Sequence, residues 1–166
     1  MKKAIMFVFV LCMVFALCGC QKTLKGTDAL IEKARQEIPI ADADNTDIAY
    51  AGLCGKDDLA LIWFVSGNEY QAHYYLPMEC SVVGDNEYTF ERVCKPMERG
   101  MDIAVLQWQN GYSFLVNNPK CKTIQVTDNS GIQAIAIEKD AYPFIYYSEQ
   151  IPSEYYFLDA EGNEIT

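Results

Sequence analysis

A chain of 166 residues with 23 acidic and 13 basic side chains, one histidine and a formal charge of −10 is long enough to bury a core of its own as one domain. The charge excludes a nucleic-acid-binding module, because neutralising phosphates needs clustered Lys and Arg. It also sets the surface against anionic lipid headgroups, and solubility is its plain explanation. Apolar residues make up 51% of the chain, too many for a disordered polymer. Tyrosine is frequent, with 11 copies, which favours strands over helices.

The first residues read as an address. Lys2 and Lys3 form a short basic segment, Ala4 to Ala16 is apolar without a break, and Leu17-Cys18-Gly19-Cys20 closes the run. The run suits a signal sequence and falls short of the ~20 residues of a membrane-spanning helix. Leu17-Cys18-Gly19-Cys20 resembles the lipobox of bacterial prolipoproteins. That resemblance implies a diacylglyceryl group on the Cys20 thiol and cleavage before Cys20. The mature chain would then begin at Cys20, held at the membrane by two acyl chains, each buried CH₂ contributing ~0.8 kcal/mol. An ordinary secretory peptide cut near Ala16 or Gly19 is the alternative. Gln21 is not the Asp that resembles an inner-membrane retention signal, so a Gram-negative source would imply the outer membrane. Removing Lys2 and Lys3 leaves 11 basic residues against 23 acidic ones, a formal charge of −12. Lys22 and Lys25 lie beside the anchor, where they could touch headgroups.

The expected organisation is a signal peptide over 1–19, the lipidated Cys20 with a polar tether over 20–26, and one β-rich domain over 27–166. Thr27 to Ile38 is the one convincing helix, with Thr27 as cap, Asp28 in the first turn and Leu30, Ile31, Ala34 and Ile38 on one stripe. Pro39 ends it. Ala41 to Asp47 is an acidic turn that fails the EF-hand pattern: Asp47 stands where Gly is needed and Leu53 where the bidentate Glu belongs. A solvated loop is expected there, with a calcium site outside the EF-hand class as the alternative.

Strands follow one another from there. Ile48–Leu53 precedes a Gly55-Lys56-Asp57-Asp58 turn. Leu59–Val65 is continuously apolar, as a strand buried on both faces should be. Tyr70–Leu76, Tyr88–Cys94, Ile103–Trp108, Tyr112–Val116, Lys122–Thr127, Ile132–Glu138, Phe144–Tyr147, Tyr155–Leu158 and Glu164–Thr166 complete the set. Asn110-Gly111 and Asp128-Asn129-Ser130-Gly131 are strong hairpin signals. Lys95 to Gly100 is the expected internal seam. The pattern predicts a mainly β fold, a β-sandwich or partly closed antiparallel barrel with one N-terminal helix.

Four cysteines remain after the signal peptide and the anchor: Cys54, Cys80, Cys94 and Cys121. An exported chain with an even count can form two disulfides. Cys80–Cys94 with Cys54–Cys121 is the favoured pairing, since Cys80 and Cys94 flank the Gly84-Asp85-Asn86 turn. Four buried free thiols are the equal alternative. Their wide spacing argues against zinc, and no metal or other cofactor is expected.

Catalytic signatures are absent: no G-x-S-x-G, H-E-x-x-H, C-x-x-C or P-loop occurs. A histidine-based mechanism would have to use His73, beside Ser66, Ser81 or Cys54. Tyr146, Tyr147, Tyr155 and Tyr156 are the candidate ligand-facing aromatics. Neighbours in a strand point to opposite faces, so each adjacent pair should turn one ring inward and one outward, as ordinary cross-strand partners or as a binding surface. The expected function is a membrane-anchored binding or accessory lipoprotein holding a protein or glycan ligand. A small envelope hydrolase and a structural subunit of a membrane complex are the alternatives.

Overall fold

The computed structural model describes residues 22–37, 45–67 and 74–165. Its described elements are β1 (Thr23–Lys25), α1 (Gly26–Glu37), β2 (Ile48–Lys56), β3 (Leu59–Ser66), β4 (Tyr74–Gly84), β5 (Glu87–Val93), β6 (Met97–Gly100), β7 (Ile103–Trp108), β8 (Gly111–Val116), β9 (Thr123–Asp128), β10 (Gly131–Ala136), β11 (Phe144–Ser148) and β12 (Glu154–Leu158). The strands form three antiparallel sheets with orders β1-β5-β4-β3-β2, β11-β8-β7-β6 and β10-β9-β12. They stack as layers and do not close into a barrel, consistent with the expected β-sandwich. The helix lies on the first sheet, the second sheet lies in the middle, and the third is outermost.

Alternation along the strands builds this stack. One face of the helix-side sheet sends Ala60, Ile62, Phe64, Met78 and Cys80 against Leu30 and Ala34 of α1. The other face sends Leu61, Trp63 and Tyr75 against Ala104, Leu106, Trp108 and Leu115 of the middle sheet. The opposite side chains of the same middle strands, Ile103, Val105, Phe114 and Val116, meet Ile124, Val126 and Phe157 of the outer sheet. β3, β7 and β8 are therefore covered on both faces, and their near-continuous apolar sequences follow from that.

Several segments depart from the sequence reading. Thr23–Lys25, expected within a free tether, is an edge strand paired with Glu87–Thr89 of β5. The helix begins at Gly26, whose φ of 75° suits glycine. Met97–Gly100, in the expected seam, is an edge strand of the middle sheet, and the crossing between sheets is confined to residues 94–96. β4 runs on to Gly84 through Pro77. The Pro77 carbonyl accepts from the Cys94 N–H at 2.8 Å. In an antiparallel strand a residue's nitrogen faces the same side as its carbonyl, so the missing N–H falls where β5 is ending. The last expected strand is reduced to a bridge between Leu158 and Glu164.

Candidate functional site

Two groupings of polar side chains among the described residues do different work. The first is the seam between the helix-side and middle sheets. Trp63 Nε1 donates to Ser113 Oγ at 2.8 Å, and Cys54 Sγ lies 3.3 Å from the same hydroxyl. Tyr75 donates its hydroxyl to Asp102 Oδ1 at 2.9 Å. Glu79, only 7% exposed, accepts from the Trp108 indole and, at 3.0 and 3.2 Å, from Nε and Nη2 of Arg92. The Arg92 hydrogen bonds are the main cause that holds the Glu79 carboxyl below its usual range, and the indole adds to it. These groups join β2, β3, β4 and β5 to β7 and β8. These bonds give the seam a structural role: they tie the two sheets together.

The second place is a surface cleft of about 200 Å³ between the β9–β10 turn and the end of β11, walled by Asp128, Ser130, Gln133, Tyr146 and residues 147–150. The turn is shaped by Asp128, whose Oδ1 accepts from the backbone N–H of Ser130 at 2.8 Å and from its hydroxyl. Gln133 donates to Asp128 Oδ2 at 3.2 Å and to Ser130 Oγ at 3.1 Å. The Ser130 hydroxyl bond leads the interactions that lower the Asp128 pKa, so this carboxylate is ionised at neutral pH. Burial raises the Tyr146 pKa, and Asp128 and Glu149 raise it further. The Tyr146 phenol therefore stays protonated and can donate.

Aromatic rings back the cleft. Tyr146 stacks on Phe114 with centroids 6.1 Å apart, and Tyr155 meets Phe114 edge-on at 5.2 Å. Tyr155 also touches Tyr112 and Phe157. Tyr147 turns to the other face of β11, where its ring meets Trp108 at 5.2 Å. So Tyr146 and Tyr155 belong to one cluster and Tyr147 to another. The expectation of one ring inward and one outward fails for Tyr146/Tyr147 because the middle sheet is covered on both sides. It holds in direction for Tyr155/Tyr156, since Tyr155 joins the core and Tyr156, paired with Gln125, lies on the opposite face of the outer sheet. All four are half-buried rather than laid out as a flat exposed surface.

The four cysteines are free thiols, and the pairings Cys80–Cys94 and Cys54–Cys121 are not formed. Cys80 lies opposite Phe90, whereas Cys94 bonds back to Pro77 three residues earlier in β4, and the two thiols pack on opposite faces of the sheet. Cys80 packs toward α1, Cys54 and Cys94 pack toward the middle sheet, and Cys121 lies in the outer cluster. Burial raises every one of these thiols, Cys80 to about 12.

His73, Cys20 and the acidic residues Asp42 and Asp44 lie outside the described residues. Of the serines considered with His73, Ser66 is buried with its hydroxyl unpartnered among the described residues, and Ser81 donates to Glu91 at 2.6 Å. No cluster of three or more metal-ligating side chains occurs among the described residues. Sequence reasoning treated Asp128 and Ser130 only as turn residues and passed over Gln133. The available signal was an Asp-x-Ser pattern whose side chains could serve the turn and still face outward. Protein-family models, curated proteins and solved structures were compared with the chain, and none matches.

Proposed function

We propose that this chain is a lipid-anchored extracytoplasmic binding module that takes a polyhydroxyl ligand, a unit of a cell-surface glycan, in the Asp128–Gln133–Tyr146 cleft. The anchor half of the reading rests on the lipobox resemblance ending at Cys20. The ligand half is carried by one observation: an ionised carboxylate, a hydroxyl, a carboxamide and a protonated phenol border a single open cleft. Such a set offers acceptors and donors together, as vicinal hydroxyls require. The ring of Tyr146 is fixed on Phe114, so little side-chain entropy is lost on binding. At about 200 Å³ the cleft is smaller than a drug-sized pocket, and it suits one sugar unit of a longer chain.

Saturation-transfer NMR with a panel of envelope glycan fragments tests this. Binding of at least one fragment, lost in Gln133→Ala and Asp128→Asn, is the expected result. Binding that survives both substitutions, or a dominant protein partner recovered by crosslinking in cells with no glycan bound, would refute the cleft as a glycan site.

A further inference from the structure

Six strand edges border the three sheets, and five of them are blunted. β1 is three residues long, with Lys25 held by Glu87 at 2.7 Å. β2 is broken by a bulge at Tyr50/Gly52, and β6 has four residues and a bulge at Glu98/Gly100. β11 is only five residues long and starts directly after Pro143. β12 is crossed by the Leu158–Glu164 bridge. These are the ordinary devices by which proteins keep sheet edges from pairing.

β10 has none of them. Gly131-Ile132-Gln133-Ala134-Ile135-Ala136 carries no charge and no proline, and its register with β9 runs without a shift. It is exposed along nearly its whole length, with Ile132 70% accessible. The Ile137 N–H bonds inward to Lys122 O at 2.8 Å. By alternation, Ile132, Ala134 and Ala136 turn their N–H and C=O groups to the open side. In a chain of charge −10, an uncharged edge with its hydrogen-bonding groups presented is a site for one kind of partner, another extended strand.

We propose that β10 pairs antiparallel with β10 of a second copy of this chain across a two-fold axis at Ala134. Three features favour a second copy. The strand is its own complement in this register: Ile132 faces Ala136 of the partner, Ala134 faces Ala134, and Gln133 faces Ile135. No charged residues oppose one another within the strand, which matters for two acidic molecules. Each pair at Ile132, Ala134 and Ala136 exchanges two hydrogen bonds, using the groups that β9 leaves free. The outer sheets then fuse into one sheet of six strands in the order β12-β9-β10-β10-β9-β12. The contact is isologous and consumes the open edge of both copies, so it closes at the dimer.

The symmetry axis supplies the test. Ala134 is exposed, so the fold tolerates a charged side chain there, checked by near-ultraviolet circular dichroism. The full chain should sediment as a dimer in detergent. Ala134→Lys and Ala134→Glu, each alone, should sediment as monomers, because each places like charges opposite one another. Mixed together, they should restore a dimer containing one copy of each. Ala134→Cys should give a covalent dimer with a short thiol-to-thiol crosslinker in cell envelopes, since the two side chains oppose one another across a hydrogen-bonded pair with Cα atoms ~5.5 Å apart. A monomeric wild-type chain, a dimer unmoved by Ala134→Lys, or failure of the Lys/Glu mixture to pair would overturn the proposal.

Discussion

Removing the Glu79 carboxylate is the sharpest probe of how the layers are joined. In Glu79→Ala the Trp108 indole, 2% exposed, keeps its N–H but loses its acceptor. A hydrogen bond to a charged group contributes ~1.5–3 kcal/mol, and a buried donor left unpaired forfeits the whole of that. Arg92 behaves differently. Its side chain is 63% exposed, so it returns to water and its pairing is worth only ~0–1 kcal/mol. Glu79→Ala should therefore cost about 2–4 kcal/mol, and Arg92→Ala about 1 kcal/mol or less. Guanidinium unfolding followed by tryptophan fluorescence reads this directly, because Trp63 and Trp108 are both buried in the seam between the two sheets. At ~3 °C per kcal/mol for a chain of this size, the melting temperature of Glu79→Ala should fall by roughly 6–12 °C. Equal losses for the two variants, or a Glu79→Ala change under ~0.5 kcal/mol, would show that the carboxylate does not tie the sheets together.

The same group sets a pH dependence. Its pKa is depressed below the ordinary 4.5, so its stabilisation is present above that value and fades as pH falls through the folded-state pKa. The loss of stability on acidification should be shallower in Glu79→Gln, and identical slopes would count against the pairing. Gly111→Ala should be the most damaging small substitution, at more than ~4 kcal/mol, because a Cβ there would overlap the Ser148 carbonyl oxygen; normal folding would mean β8 and β11 are set differently. Tyr146→Ala and Tyr155→Ala should each destabilise by ~2–3 kcal/mol, below the ~3–5 kcal/mol of a fully buried aromatic, since both rings are only half-buried; unchanged unfolding midpoints would make them surface residues. Cys54, Cys80, Cys94 and Cys121 should react slowly with a thiol reagent in the folded chain and readily in denaturant, with mass spectrometry assigning the sites; fast labelling of Cys80, or a disulfide mass, would contradict the free buried thiols.

The fold was legible wherever burial wrote itself into the pattern. Leu59–Val65 is apolar throughout because α1 covers one face of β3 and the middle sheet the other. Asn110-Gly111 located the β7–β8 hairpin, but one residue late: Gln109 and Asn110 form the turn and Gly111 already pairs with Trp108. The edge strands β1 and β6 escaped notice for the complementary reason. They are short and largely exposed, so neither burial nor propensity shapes their sequences, and only their partners make them strands. Pro77 hid the middle of β4, because its tolerance depends on where β5 ends. The cleft was the least legible feature. Asp128, Ser130 and Gln133 form a local turn that any hairpin could carry, and its significance arises only when Tyr146 from β11 is brought against it. The Tyr146/Tyr147 pair misled for a topological reason: β11 belongs to the middle sheet, which has no outer face to give.

The most direct measurement is the intact mass and N-terminal fragmentation of the protein extracted from the membranes of its own cells. A chain that begins at Cys20, with a diacylglyceryl thioether on that residue, is the predicted result and would put the proposed ligand cleft on a lipid-anchored module outside the cytoplasm. A chain that begins elsewhere, or that carries Cys20 as an unmodified thiol, would contradict it.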